Sequence, residues 1–179
     1  MLHNFIMIAA DTGMRPKEMF NLNWNHIEGL DHARQSRAKE ARIRISAFGK
    51  GRNPAPLIPK STVASQLLNI RRIYKFRFGK EPTAEMPVFC NLKGERITTF
   101  NKSLNALLDA CDLRTDAHGQ KFSSYSFRHY YATQALRDPQ IDVYKLGTNM
   151  RTSVAMIERY YSDVIPEDHA ALFRGDHEW

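Results

Sequence analysis

The chain is predicted to be mainly α-helical with a small antiparallel β-sheet, an α+β domain, and two observations lead there. Apolar residues recur at the three- and four-residue spacing of a helix face along most of its length. One stretch only, residues 42–48 (Arg-Ile-Arg-Ile-Ser-Ala-Phe), alternates with a period of two, the pattern of a half-buried strand. With 179 residues, 42% of them hydrophobic, and no internal repeat, low-complexity tract or linker, the chain can bury one core. A single domain over residues 1–179 is expected.

Residues 2–11 form an apolar helix stopped at Thr12-Gly13, where glycine tolerates the left-handed conformation that ends a helix. Pro16 supplies the backbone angle of a first helical turn, so a second helix starts there, with Met19, Phe20 and Leu22 on its buried side. Arg15 therefore stands at a corner between two helices. Strand 42–48 runs into the turn Gly49-Lys50-Gly51-Arg52-Asn53 and returns through residues 55–58, a β-hairpin with Lys50 at or near its tip. Residues 61–78 place Val63, Leu67, Ile70 and Tyr74 on one helix face. A short extended piece at 87–90 precedes a helix at 101–111 with Leu104, Leu107 and Leu108 inward. Residues 119–124 are a loop in which Ser123 or Ser124 is expected to cap a helix running to Leu136. Asp138-Pro139 breaks that helix, and helices over 141–149 and 153–161 follow.

Lys and Arg number 26 against 19 Asp and Glu, a formal charge of +7 that favours a polyanionic partner such as nucleic acid. Between residues 33 and 60 the bases Arg34, Arg37, Lys39, Arg42, Arg44, Lys50, Arg52 and Lys60 face only Glu40. That makes the hairpin a candidate phosphate-binding surface, with Arg42, Arg44 and Arg52 as DNA-binding residues. A second basic set runs from Arg71 to Lys80, while the end from Asp163 onward is acidic. The longest apolar run, residues 5–10, is far short of the roughly 20 residues of a membrane span. The start of the chain lacks a basic region and a cleavage site of the signal-peptide kind. Cys90 and Cys111 are too far apart for a CxxC pair, so a reducing cytoplasm is the expected location. No His-x-His, HExxH, paired-Asp or GxxxxGK[ST] pattern occurs, and neither a metal nor a nucleotide cofactor is expected.

Three segments carry chemistry: Thr12-Gly13-Met14-Arg15-Pro16-Lys17-Glu18, Ser126-Phe127-Arg128-His129-Tyr130-Tyr131-Ala132-Thr133, and residues 152–161, which end in Glu158-Arg159-Tyr160-Tyr161. A guanidinium is always charged and offers a planar fork to two phosphate oxygens, so two arginines can hold one phosphodiester from two sides. Consecutive helical residues project about 100° apart, so only one of Tyr160 and Tyr161 can face a bound phosphate. In their order and separation the segments resemble the catalytic domain of the tyrosine recombinase (phage integrase) family, over nearly the whole stretch from Arg15 to Tyr161.

The resemblance implies packed helices with a three-stranded sheet at one edge. It also implies site-specific breaking and rejoining of double-stranded DNA through a 3′-phosphotyrosyl intermediate, without ATP or metal, in a tetrameric synapse on DNA. Arg15 and Arg128 match the two family arginines, and Glu18 matches the acid that steadies the site, although a plain surface pairing of Glu18 with Lys17 or Asn21 is the competing reading. Lys50 matches the hairpin lysine used as general acid; the competing reading is a plain solvated turn lysine with Arg52 contacting DNA instead, and Lys60 is a less favoured substitute. Tyr161 matches the nucleophile, nine residues after Thr152.

Two positions depart from the family. Tyr125 stands where a histidine or lysine is usual, and Thr152 where a histidine or tryptophan is usual. A phenol of pKa about 10 is a poor proton acceptor near neutrality, and His129, next to Arg128, is an alternative source of imidazole chemistry. The departures leave open a catalytically impaired, recombinase-like DNA-binding module, and a type IB topoisomerase-like enzyme is a third reading. Family members carry an N-terminal core-binding domain, whereas fourteen residues precede Arg15 here, so a fragment of a longer prophage or mobile-element protein is expected.

Overall fold

Helix α1 (Leu2–Thr12) packs against both α3 (Thr62–Phe78) and α5 (Ser126–Leu136), and the rest of the domain is arranged around it. A computed structural model describes residues 1–31, 42–47, 55–138 and 140–161. The remaining elements are α2 (Pro16–Phe20), a 3-10 turn at Trp24–His26, β1 (Ile27–Glu28), β2 (Arg44–Ala47), β3 (Ala55–Leu57), α4 (Asn101–Ala110), α6 (Val143–Met150) and α7 (Val154–Tyr161). Mainly helical with one small sheet is the class the sequence predicts.

Asn4, Phe5, Ile8, Ala9 and Thr12 are the buried residues at helical spacing on α1, and Phe5 has no solvent exposure. Its ring stacks on Phe20 at 4.9 Å between centroids and meets Phe89 and Phe100 at 5.4 and 5.0 Å. Truncating such a side chain to alanine costs about 3–5 kcal/mol. Gly13 ends α1 at φ 62°, its N–H donating to Ala9 O at 3.1 Å. Arg15 is then the extended N-cap of α2 and Pro16 its first residue. The far end of α2 is pinned by Arg96, whose Nη1 donates to the carbonyls of Phe20 (2.7 Å) and Leu22 (3.3 Å). The corner carrying Arg15 is thus fixed on both sides.

The sheet is antiparallel in the order β1-β2-β3. Ile27, Ile45 and Leu57 lie across from one another, and Glu28 pairs with Arg44, an opposite-charge cross-strand pair. Ile43 and Ile45 are buried while Arg42 and Arg44 are exposed, as the alternation predicts. The hairpin tip with Lys50 and Arg52 lies outside the described residues. A second apolar cluster joins Tyr131, Ala132 and Ala135 of α5 to Leu146 and Met150 of α6 and Ile157 of α7. Asn149 ties α6 to the strand end: its Oδ1 accepts from Ile58 N (2.9 Å), and its Nδ2 donates to Ile58 O (3.0 Å) and Tyr131 Oη (3.1 Å).

Two details differ from expectation. Helix α5 has Tyr125 as its N-cap with no side-chain cap bond, because Ser123 Oγ is used one turn earlier, accepting from Tyr125 N at 3.2 Å. On α4 only Leu104 is buried. Leu107 is 42% exposed, because it projects about 60° to the side of the Leu104 direction, onto the outer flank of the helix. Among the described residues no helix is long and apolar enough to cross a membrane.

Candidate active site

Arg128, on the first turn of α5, is only 3% exposed. Its Nη1 donates to the carbonyl oxygen of Gly13 and its Nη2 to Met150 O at 3.1 Å. One guanidinium thereby joins the corner after α1 to the end of α6, and with them the two apolar clusters. Arg15 reaches the same place from the other side. Its backbone N–H and Nη1 donate to the two carboxylate oxygens of Glu18 at 3.0 and 3.1 Å, and its Nη2 donates to Arg151 O at 3.4 Å.

Between them is a cleft of about 310 Å³, lined by Arg15, Arg128, Tyr125, His129 and Thr152, with Met156 and Tyr160 contributed by α7. Residues far apart in sequence are brought together because α1, α5 and the α6–α7 turn share the Arg128 contacts. Glu18 is 5% exposed and sits behind Arg15, where it also accepts from Arg151 Nη2 at 2.8 Å. The surface pairing of Glu18 with Lys17 or Asn21 is therefore replaced by a buried pairing with two arginines.

Tyr125 is 42% exposed at the cleft edge, its ring 5.4 Å from that of His129, one helical turn on. Burial and the neighbouring Arg128 charge both hold the His129 imidazole below its ordinary pKa, which keeps it uncharged at neutral pH. Thr152 lies in the turn between α6 and α7, its N–H donating to Gly147 O at 2.9 Å. Of the paired tyrosines, Tyr160 lines the cleft and is half-exposed, with the Arg159 guanidinium 5.5 Å from its ring centroid. Tyr161 is the last residue of α7, and its side chain lies outside the described residues.

Of the predicted site residues, then, Arg15, Arg128, Tyr125 and Thr152 line one cleft and Glu18 backs it, while the α7 tyrosine described in that cleft is Tyr160, the alternative to the expected nucleophile Tyr161. Arg42 and Arg44 lie on and beside β2, on the exposed side of the sheet. The sequence reading missed Arg151 and Asn149. Nothing in the sequence marks Arg151, because its position depends on a left-handed turn (φ 55°, ψ 50°) in which no glycine signals the bend. Among the described residues no group of three or more His, Cys, Asp and Glu could hold a metal ion.

A family model described as "Phage integrase family" matches residues 1–163. No curated protein matches the chain. Among solved structures, XerA recombinase is similar at a TM-score of 0.64 and 17% identity, over 99% of this chain and 61% of that one. XerH site-specific recombinase is similar in two states. The pre-cleavage complex bound to difH substrate gives 0.62 and 21% over 95% of this chain, and the post-cleavage complex with palindromic difH gives 0.65 and 20% over 96%. The chain spans 44% and 45% of the length of those two.

Proposed function

This chain belongs to the phage integrase family, and from that premise we propose that it is a site-specific recombinase catalytic domain that breaks and rejoins double-stranded DNA through a covalent tyrosine ester. The observation that carries the reading is the convergence of Arg15 and Arg128 on one cleft beside the tyrosine-bearing helix α7. Two forks can neutralise the charge that grows on phosphorus as it becomes pentacoordinate, and groups fixed in advance by Gly13, Met150 and Glu18 need no reorganisation at that moment.

In the proposed reaction the Tyr161 phenol gives up its proton, to the uncharged His129 imidazole or to water, its oxygen attacks the phosphorus, and the bond from phosphorus to the 5′ oxygen breaks. The 3′-phosphate remains on the tyrosine, while the departing alkoxide takes a proton from Lys50. An alkoxide is a strongly basic leaving group, so that proton lowers the barrier substantially. The ester conserves the energy of the broken bond, and attack by another 5′ hydroxyl reverses the step. Tyr125 and Thr152 donate hydrogen bonds to the phosphate, and His129 is the uncharged imidazole at hand. Strand exchange is expected in a tetramer on DNA. The XerH relatives, described as bound to difH substrate before and after cleavage, are consistent with a DNA partner.

A second reading, a DNA-binding module without strand cleavage, draws on Tyr125 and Thr152, which put no imidazole at those two positions of the cleft. Incubation of the wild-type chain with a pool of nicked duplexes of randomised sequence, followed by denaturing electrophoresis, separates the two. A band of covalent protein–DNA complex supports the enzyme. Binding with no such band supports the module.

A further inference from the structure

Glu18 is a buried carboxylate shared by two guanidinium groups, and only one of them lines the cleft. Arg15, 37% exposed, lines the cleft, held there by Nη1 on Glu18 and Nη2 on the Arg151 carbonyl. Arg151, 12% exposed, lies behind and donates to the second carboxylate oxygen at 2.8 Å. Arg151 also offers its own carbonyl oxygen to Arg15 Nη2 at 3.4 Å. It does so from a left-handed backbone conformation, φ 55° and ψ 50°, that ends α6 and that a non-glycine residue adopts at a cost of about 1–2 kcal/mol. Asparagine or glycine would fit that turn with less strain. An arginine there calls for another account, and the guanidinium on Glu18 supplies one.

Resting on the phosphodiester-cleaving reading above, we infer that Arg151 is a positioning residue for Arg15, acting through Glu18 to keep the Arg15 side of the cleft cationic. Arg128 lends the cleft one positive charge in either case, so what Arg151 changes is the sum over the three groups gathered at Glu18. With Arg151 present, the two guanidinium groups and the carboxylate sum to one positive charge, and Arg15 keeps attraction to spare for a phosphate. Without Arg151, Arg15 and Glu18 neutralise each other, and the whole carboxylate charge falls on the guanidinium already 3.1 Å from it. The pair then offers phosphate no net charge in a half-buried site where screening by water is weak.

This account differs in sign from a purely structural one. Arg151→Gly and Arg151→Asn both fit the left-handed turn and keep the carbonyl that Arg15 Nη2 uses, so each variant should fold, the relief of backbone strain offsetting part of the lost ion pair with Glu18. Each should bind dimethyl phosphate, a neutral-ended phosphodiester probe, about tenfold more weakly, the scale of one charge-assisted hydrogen bond. Adding Glu18→Gln to Arg151→Gly returns the Arg15 side of the cleft to one positive charge, beside that of Arg128, and should recover most of that loss. A structural role predicts that the double variant is no better than the single one. Titration followed by the side-chain NMR signal of Arg15 reads binding without any cleavage, so its result stands whether or not the chain forms a DNA adduct. Recovery in the double variant supports the inference. Unchanged binding in both single variants, or a double variant as weak as Arg151→Gly, overturns it, while the absence of an adduct from the wild type would count against the proposed enzyme alone.

Discussion

The guanidinium of Arg128 donates a hydrogen bond to the carbonyl oxygen of Gly13, 115 residues earlier in the chain. That contact makes the helix-ending glycine part of the site. Gly13 turns α1 at φ 62°, and a Cβ there would overlap the Tyr131 ring, so its missing side chain serves both the turn and the packing of α5 on α1.

Gly13→Ala should therefore destabilise the domain by at least about 2 kcal/mol, the left-handed penalty plus displacement of Tyr131. Urea denaturation measures it. A change under about 0.5 kcal/mol, the range of an inconsequential surface substitution, would mean that the corner relaxes freely.

Arg128→Lys keeps the charge and loses the planar fork that spans Gly13 O and Met150 O. On the proposed function, adduct formation should slow by at least about 10²-fold, as when one charge-stabilising donor is removed from a transition state. A loss below about tenfold in single-turnover cleavage would assign Arg128 to the fold alone.

His129 sets a pH dependence of stability. Its folded pKa lies below the ordinary 6.5, through burial first and the Arg128 charge second. Between the two values the unfolded chain binds the proton more readily, so stability is full above about pH 6.5, falls as pH drops from there towards the folded value, and is level below it. His26, lowered by burial and by Arg96, adds a change of the same sign. Denaturation midpoints between about pH 7.5 and about pH 5.5 should decline less steeply in His129→Gln than in the wild type. Equal slopes would contradict the environment described for His129.

What the sequence revealed of this site was what local rules encode. Thr12-Gly13 and Pro16 punctuate the chain by backbone chemistry alone, and so the corner at Arg15 was readable. The period-two run at 42–48 required a strand because only that geometry separates its arginines from its isoleucines. The Arg151–Glu18 pair was not readable, since it joins residues 133 positions apart through a left-handed turn without glycine. Ser123 looked like a helix cap, yet its hydroxyl is spent on the preceding turn, a choice between two local hydrogen bonds that sequence does not rank.

On the proposed function, Arg42 and Arg44, exposed at the sheet, contact the DNA backbone together with Arg52. Affinity should fall with salt at a log–log slope of about −0.9 per phosphate contacted. Changing the three to glutamine should flatten that slope while leaving the melting temperature within a few degrees. An unchanged slope would move the DNA face elsewhere, to the basic helix α3 with Arg72 and Arg77.

The most direct test of the central claim is to digest the covalent complex formed on the nicked duplex pool and locate the nucleotide-bearing residue by mass spectrometry. The account predicts a phosphodiester-derived mass on Tyr161, lost in Tyr161→Phe with DNA affinity kept within a few-fold, and unchanged in Tyr160→Phe. A modified Tyr160, or a chain that binds DNA and yields no modified tyrosine at all, would contradict it.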